Sequence, residues 1–169
     1  MKKTIKKAAV PAKTRKKSAA KSGDAGEGLR APKPRPPVSM TASEDARRLA
    51  LGIAGAGLEA KAAAIEILDV TGKVDYTELL VLMSGRSDRH VQSIAKGIEE
   101  ALRVKLGAVP LSVEGLTAGQ WVLLDFNDVV VHVFQQSTRY YSDLEGLWID
   151  ASRLKVPEPA GASERPRGD

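Results

Sequence analysis

The residues best suited to chemistry are a Ser-Gly pair and three aspartates, one near residue 70 and two on either side of a predicted turn. Ser84 and Gly85 follow an apolar run and precede a helical pattern, a setting that invites comparison with the phosphate loop of nucleotidyltransferases. Those enzymes hold metal ions between closely placed carboxylates. Asp69, Asp125 and Asp128 are available, but the sequence contains no Asp-x-Asp pair. We therefore interpret Ser84-Gly85 as a strand-to-helix turn, and a nucleotide-binding transferase remains the alternative function.

Metal and cofactor chemistry find little support in the composition. The chain has no cysteine and only two histidines, His90 and His132, which excludes disulfides and zinc sites built from cysteine or three histidines. Residues 55–60 have the glycine spacing of a dinucleotide loop, but that loop needs a strand before it and a helix after it. Here a helical pattern precedes and a strand pattern follows. We predict no catalytic residue, no metal site and no cofactor.

The distribution of charge indicates the domain boundaries. Residues 1–40 hold 12 Lys or Arg and 2 Asp or Glu, a net charge of +10, whereas residues 41–169 hold 14 and 19, a net charge of −5. We predict a disordered basic arm over residues 1–42, a domain over residues 43–156 and a disordered tail over residues 157–169. Such an arm either displaces counterions from nucleic acid phosphates or serves only as a solubilising tail. Its candidate phosphate contacts are Lys2, Lys3, Lys6, Lys7, Lys13, Arg15, Lys16 and Lys17.

The location of the protein is predicted from segments that the sequence lacks. No apolar run approaches the roughly 20 residues that span a bilayer. The lysines near the start are not followed by the apolar region of a signal peptide. A transit peptide fits less well, because the arm is rich in Lys rather than Arg and is broken by prolines. These features predict a soluble intracellular protein with no membrane partner.

Hydrophobic periodicity predicts a single α/β domain with a mixed sheet packed by helices. A first helix follows the cap residue Ser43 and is expected to end among Gly52, Gly55 and Gly57. The clearest helix begins at Ser87 and ends at Gly107. Predicted strands cover residues 64–70, 78–83, 110–114, 121–126 and 129–135, and a last short helix covers residues 138–148.

Only Asn127 and Asp128 separate the last two predicted strands, which indicates a tight hairpin. Side chains alternate between the two faces of a strand, so counting outward from the turn assigns each residue to a face. One face is purely apolar and is predicted to be core. The other, called here the mixed face, pairs Asp125 with Val130, Leu123 with His132 and Trp121 with Phe134.

The mixed face has two interpretations that the sequence supports equally. In the first, helices cover it, its aromatic residues belong to the core, and His132 is hydrogen-bonded locally, with Asp125 as one candidate partner. In the second, part of the face is open and anchors a protein interface, a role for which Trp and other aromatic residues are well suited. Tyr140, Tyr141 and Trp148 in the last helix raise the same question.

Several segments resemble the iojap/RsfS family of ribosomal silencing factors. Residues 82–91 contain Ser-Gly-Arg-Ser-Asp-Arg-His-Val, which is similar to the family's SG-x-SDR-x-V segment. Glu114-Gly115 with residues 121–125 and 128–134 is similar to EG…W-x-LLD…DVVVHVF, and Arg139 with residues 143–148 is similar to R…DLE-x-LW. The resemblance covers about residues 45–151. This chain departs from the family pattern at two places. Residues 78–80 stand where the family usually has Asp-Tyr-Phe, and Ser142 stands where it usually has a tyrosine.

The resemblance implies a fold related to nucleotidyltransferases without their catalytic carboxylates. It also implies a non-enzymatic function: family members bind large-subunit ribosomal protein number fourteen and sterically block joining of the small subunit, which represses translation when nutrients are scarce. Organellar relatives act in ribosome assembly. For this chain we therefore expect a bacterial cytoplasmic location, the large ribosomal subunit as partner and contact of the arm with ribosomal RNA, with a homodimer left open. The partner-binding candidates are Trp121, Leu123, His132, Phe134, Arg139, Tyr141, Leu144 and Trp148.

Overall fold

The computed structural model describes residues 41–159, which form a six-stranded mixed sheet packed by helices, as predicted. The basic residues assigned to the arm belong to residues 1–40, which are outside the described part of the chain. Residues 160–169 are outside it as well. The elements are α1 (Glu44–Glu59), β1 (Ala63–Asp69), β2 (Leu79–Gly85), α2 (Asp88–Leu106), β3 (Ser112–Glu114), β4 (Trp121–Asp125), β5 (Val129–Gln135), α3 (Gln136–Ser142), α4 (Leu144–Leu147) and β6 (Ser152–Leu154).

The strand order is β3-β4-β5-β2-β1-β6, and the central pair, β2 with β5, is the parallel one. β4 pairs with β5, β3 with β4, β1 with β2, and β6 with β1, all antiparallel. β2 is buried along its whole length and β5 along all but its last residue. Continuous apolar sequence is typical of strands covered on both faces, which explains why these two segments show little alternation.

α2 has the boundaries that its sequence predicts. The Ser87 hydroxyl caps the helix by accepting a hydrogen bond from the backbone N–H of His90 at 3.2 Å. Gly107 ends the helix in a left-handed conformation, with φ of 64°. The buried stripe packs on the sheet beside α1 and consists of Val91, Ile94, Ala95, Ile98 and Leu102.

α1 begins after its Ser43 cap as predicted, but the prediction that its glycines end it is wrong, because the helix continues to Glu59. Apart from Ile53, its buried residues are alanine and glycine, so the backbone lies close to the sheet. A Cβ added at Gly57 would lie 2.8 Å from Sδ of Met83 in β2. Tight packing against the core therefore offsets the cost of glycine in a helix, which is about 1 kcal/mol per residue relative to alanine.

Three further differences from the sequence prediction concern strand and helix ends. Ser84 and Gly85 are the last residues of β2 rather than a separate turn. The last helix is interrupted at Asp143, whose φ of 44° separates α3 from α4. The short strand β6, which was not predicted, adds to the outer edge of β1. Three residues carry too little periodicity to identify such a strand in advance.

The sheet divides the core into two clusters. The larger lies between the sheet and the two long helices, and it includes the apolar face of the hairpin. The smaller lies on the opposite side of the sheet, the side that carries the mixed face. Its buried members are Leu68, Val70, Leu80, Leu82, Val130, Phe134 and Ala151. Ala42, assigned by sequence to the arm, is also buried, and its N–H donates to Asp69 Oδ2 at 3.2 Å.

Because α1 continues to Glu59, alanine substitutions of Gly55 and Gly57 are predicted to differ in their effect on stability. A Cβ at Gly55 meets no atom within 4 Å, so Gly55→Ala is expected to raise the free energy of unfolding by about 1 kcal/mol through helix propensity alone. Gly57→Ala should lose that gain because Met83 must move. Urea denaturation of both variants measures the difference. Equal stabilisation by the two substitutions would contradict the close approach of α1 to β2.

Candidate functional site

The hairpin has the predicted register at every position. Trp121 pairs with Phe134, Leu123 with His132 and Asp125 with Val130, and the Phe126 N–H closes the turn on the Val129 carbonyl at 2.9 Å. Asn127 in the turn has φ of 74°, a conformation that asparagine tolerates better than most residues. The mixed face therefore holds the side chains that were assigned to it.

The mixed face is partly open, so both sequence interpretations hold for different residues. Trp121 is 41% exposed, whereas Phe134 is fully buried beneath it and His132 is nearly so. The rings of Trp121 and Phe134 are tilted, with centroids 5.1 Å apart, and His132 stacks on Phe134 at 5.9 Å. Phe134 thus supports Trp121 from below and presents no surface of its own.

A hydrogen bond fixes the indole of Trp121 and the tautomer of His132. Trp121 Nε1 donates to His132 Nδ1 at 3.1 Å. Because an indole N–H can only donate, His132 is neutral and carries its proton on Nε2. The predicted bond from His132 to Asp125 is wrong: Asp125 accepts instead from the Asn127 N–H at 2.8 Å, which stabilises the turn. Burial lowers the pKa of His132 from 6.5 to about 4.

Arg139 is the centre of a buried polar network. Its guanidinium donates to the Ala64 carbonyl at 2.5 Å, to the Ser84 hydroxyl at 3.1 Å and to Glu145, with Glu66 also within 3.5 Å. It therefore joins α3 and α4 to the ends of β1 and β2. Arg139 was predicted to contact the partner, but its side chain is buried, so its structural role is to position its neighbours.

The segment after β5 supplies the remaining candidates and some residues that the prediction missed. Leu144 and Trp148 are half-buried against the smaller core cluster, together with Leu123 of β4. Tyr141 projects into solvent, with 84% of its surface exposed. Three exposed apolar residues that were not among the candidates lie in the same segment: Tyr140, Leu147 and Ile149. Tyr140 was noted from the sequence among the aromatic residues of the last helix, whereas Leu147 and Ile149 were not singled out.

The aspartates of the alternative function lie far from the Ser-Gly pair. Asp69 pairs with Leu79 at the start of β2, and the Asp128 carbonyl accepts from the Leu79 N–H at 3.1 Å. Ser84 lies five residues further along the same strand, roughly 17 Å away at 3.3 Å per residue. Within residues 41–159 no group of three or more His, Asp or Glu side chains is arranged to hold a metal ion. The geometry does not favour phosphoryl transfer at Ser84-Gly85.

Membrane insertion finds no candidate helix in the described chain. None of the helices between residues 41 and 159 combines the length and the apolar composition that crossing a bilayer requires.

The His132 environment predicts a pH dependence of stability. Because the pKa of His132 is about 4 in the folded state and about 6.5 in the unfolded state, its contribution is complete above pH 6.5 and is lost as the pH falls toward 4. The total loss is about 3 kcal/mol at 1.36 kcal/mol per pKa unit. Urea denaturation between pH 4 and 7 measures it, with His132→Gln as the control that removes the titrating group. Identical slopes for the two proteins would contradict the assignment.

The Arg139 network predicts a large loss of stability on truncation. Arg139→Ala leaves the Glu145 carboxylate and the buried Ser84 hydroxyl without their donor, while Glu66 keeps Arg153 at 3.8 Å, so we expect the free energy of unfolding to fall by about 3 kcal/mol. Arg103→Ala removes a surface ion pair with Glu100 in which both side chains are exposed, and should change it by less than about 0.5 kcal/mol. Thermal and urea denaturation compare the two. A loss at Arg139 no larger than at Arg103 would show that the network is not structural.

Comparisons with known proteins match this architecture. The family model described as "Ribosomal silencing factor during starvation" matches residues 43–168. Ribosomal silencing factor RsfS of Bacillus subtilis is 39% identical over 107 residues, which cover 60% of this chain and 86% of that protein. RsfS of Zymomonas mobilis is 34% identical over 84 residues, 50% of this chain and 62% of that protein. A crystal structure from Bacillus halodurans has a TM-score of 0.56 at 28% identity, covering 68% of this chain and 100% of the other.

The matched range includes all six strands, the Trp121–His132 pair and the Arg139 network. A match over three quarters of the sequence, together with relatives above 30% identity, is far more than a single motif would give. The chain belongs to the family of ribosomal silencing factors, RsfS/iojap.

Proposed function

We propose that this protein silences translation by binding the large ribosomal subunit through large-subunit ribosomal protein number fourteen. The bound domain then sterically prevents the small subunit from joining. The observation that carries the proposal is Trp121, a large aromatic residue that is exposed yet held in one orientation by His132 and Phe134. Family membership supports a ribosomal role, and the site supports a protein contact as its means.

The geometry of Trp121 suits an interface anchor. An exposed side chain loses rotamer freedom when it binds, at about 0.5–1.5 kcal/mol for each immobilised group. The hydrogen bond to His132 and the ring contact with Phe134 restrict Trp121 before binding, so less of this entropy is lost later. Trp residues in such settings often dominate binding energy.

The neighbouring segment extends the apolar surface without needing to rearrange. Leu123 and Trp148 are half-buried and partly accessible, and Tyr141 stands exposed on α3. Arg139 holds α3 and α4 against the sheet, so the proposed contact residues lie on connected and ordered elements. A preorganised surface of this kind binds a folded protein with little change of shape.

Silencing by this route requires no bond chemistry. A bound domain of this size blocks the intersubunit surface by its bulk, and the effect is reversible because the contacts are noncovalent. We place this activity in the bacterial cytoplasm under nutrient limitation, and a role in biogenesis of the large subunit would use the same surface. A homodimer stays a prediction, as does ribosomal RNA contact by the arm.

Truncation of the anchor tests the proposal. Trp121→Ala should weaken binding to purified large subunits by about 2–4 kcal/mol, which is roughly 30- to 1000-fold in Kd. It should abolish the block on subunit joining at the same protein concentration. Tyr76→Ala is a matched control, because Tyr76 is also an exposed aromatic residue, at 59%. It precedes the first residue of β2, whereas Trp121 lies level with the last residues of that strand. Co-sedimentation with and without small subunits measures both effects.

Protein stability must be compared in the same experiment, because Trp121 also packs on Phe134. A variant that unfolds at the assay temperature would lose binding for the wrong reason, and a melting curve of each variant excludes this. Folded Trp121→Ala protein that binds and blocks joining like the wild type would contradict the proposal. Failure of the wild-type protein to sediment with large subunits at low salt would contradict it also.

The basic arm makes a separate, electrostatic prediction. Residues 1–40 carry a net charge of +10, so contact with ribosomal RNA would release counterions and steepen the dependence of binding on salt. Deleting residues 1–40 should therefore reduce the slope of log K against log salt, with affinity falling most at low salt. An unchanged slope after the deletion would show that the arm does not contact phosphates.

A further inference from the structure

A cluster of positive side chains lies at the end of the domain where β2 meets α2. Lys61 follows α1, and Arg86 and Arg89 flank the start of α2; all three are exposed. Two shallow depressions meet here, and both are lined by Arg86 and Ser87, with Lys61 in one and Arg89 in the other. We call Lys61, Arg86 and Arg89 the basic corner.

The basic corner is not neutralised by the described part of the domain. Across residues 41–159, none of its three side chains has an ion pair within 4.0 Å, whereas Lys73, Arg103 and Lys105 each pair with a carboxylate. Asp88 is the single acid that lines the two depressions. This concentration of positive charge contrasts with residues 41–169 as a whole, whose net charge is −5.

His90 holds the two parts of the corner together. Its Nδ1 accepts a hydrogen bond from the Arg86 N–H at 3.1 Å, and its Nε2 lies 2.9 Å from the Ala60 carbonyl at the end of α1. With Nδ1 as acceptor, Nε2 carries the proton and donates to that carbonyl. The imidazole therefore connects the loop that carries Arg86 to the residue before Lys61.

Lys61 occupies a position where glycine would be more stable. It follows the last residues of α1 and lies in the left-handed region, with φ of 62°, while the Ala62 N–H donates to the Gly57 carbonyl at 2.8 Å. Glycine is strongly preferred at this point of a helix terminus, and another residue there is strained by about 1 kcal/mol or more. The charged side chain is thus held at this position at the expense of stability.

The basic corner and Trp121 share one end of the domain. Gln92 of α2 donates to the carbonyls of Leu116 and Thr117 at 2.9 Å each, which fixes the loop before β4 against the start of the helix. Gly119 lies so close to α2 that a Cβ there would be 2.6 Å from the Asp88 carbonyl oxygen. A ribosome surface that contacts Trp121 would therefore come near the corner as well.

We infer that the basic corner binds phosphate groups of large-subunit ribosomal RNA beside the proposed protein contact. This rests on the proposed function for the identity of the particle. Arginine presents a planar fork of N–H donors that matches phosphate oxygens, and two exposed arginines without carboxylate partners are suited to it. The net negative charge of the rest of the domain disfavours unspecific attraction to RNA, so these contacts would orient the domain on one site.

Charge-neutral variants of the full chain test the inference. The double substitution Arg86→Gln with Arg89→Gln should reduce the magnitude of the slope of log K against log salt for large-subunit binding by roughly 1.5. Each lost phosphate contact accounts for about 0.7–0.9 of this reduction. The matched control is Arg48→Gln with Arg103→Gln, which removes the same charge from exposed arginines elsewhere on α1 and α2. It should leave the slope unchanged. Equal effects of the two pairs would overturn the inference.

Lys61→Gly separates function from folding. The substitution relieves the left-handed strain and should raise the melting temperature, yet it removes a phosphate contact and should lower the salt slope by roughly 0.8. Weaker binding by a more stable protein cannot be attributed to unfolding. A more stable Lys61→Gly protein with an unchanged slope would remove Lys61 from the site.

Backbone footprinting of the RNA identifies the partner. Hydroxyl-radical cleavage of large subunits should show a protected RNA segment with the wild-type protein, and the Arg86/Arg89 variant should lose that protection. A lower salt slope without any protected RNA would point to an acidic protein surface and would overturn the RNA assignment. Trp121→Ala should weaken binding at every salt concentration and leave the slope of log K against log salt unchanged. This difference distinguishes an error in the assignment of the basic corner from an error in the proposed function. Absence of wild-type binding would overturn both.

Discussion

The register of the β4–β5 hairpin is the constraint on which the rest of the site depends. Side chains alternate along a strand, so a slip of one residue would turn Trp121 toward the helices and bring Val122 and Val133 to the open side. The two-residue turn at Asn127 and Asp128 prevents this slip, and pairing of β5 with the fully buried β2 fixes the hairpin within the sheet. The same register places His132 where it can accept the indole hydrogen bond.

Arg139 makes the second contribution, by attaching the chain after β5 to the sheet. α3 and α4 are short, and Asp143 interrupts them, so their own helical hydrogen bonds do little to hold them. The guanidinium joins them to Ala64 and Ser84 on neighbouring strands. The domain thus carries a histidine kept neutral by burial and an arginine kept satisfied by hydrogen bonds. Both hold an exposed surface in place, and the chain belongs to a family of silencing factors.

Much of this arrangement could be predicted from the sequence because the signals are local. The turn at Asn127-Asp128 and simple alternation gave every pair of the hairpin, and the Ser87 and Gly107 caps gave the limits of α2. Predictions failed where distant contacts outweigh local preference. The glycines of α1 remain helical because the helix packs closely against β2 at Gly57. The short strand β6 forms by pairing with the outer edge of β1.

The candidate site shows the same division between local and distant effects. Sequence identified Trp121 and His132, but it could not show which of them reaches the surface, because exposure depends on how the residues after Asp143 fold over the sheet. Arg139 was assigned to the partner contact, and its burial follows from hydroxyl, carboxylate and carbonyl groups 55 to 75 residues earlier in the chain. The basic corner was overlooked because Lys61 and Arg86 come together only through His90.

An electron cryo-microscopy structure of the full chain bound to large subunits tests the central claim most directly. The account predicts that Trp121 and the exposed parts of α3 and α4 contact ribosomal protein number fourteen on the surface that faces the small subunit. The helices α1 and α2 would then lie on the far side of the sheet, away from that protein. A complex in which Trp121 faces solvent, or in which the domain leaves the intersubunit surface free, would contradict the account.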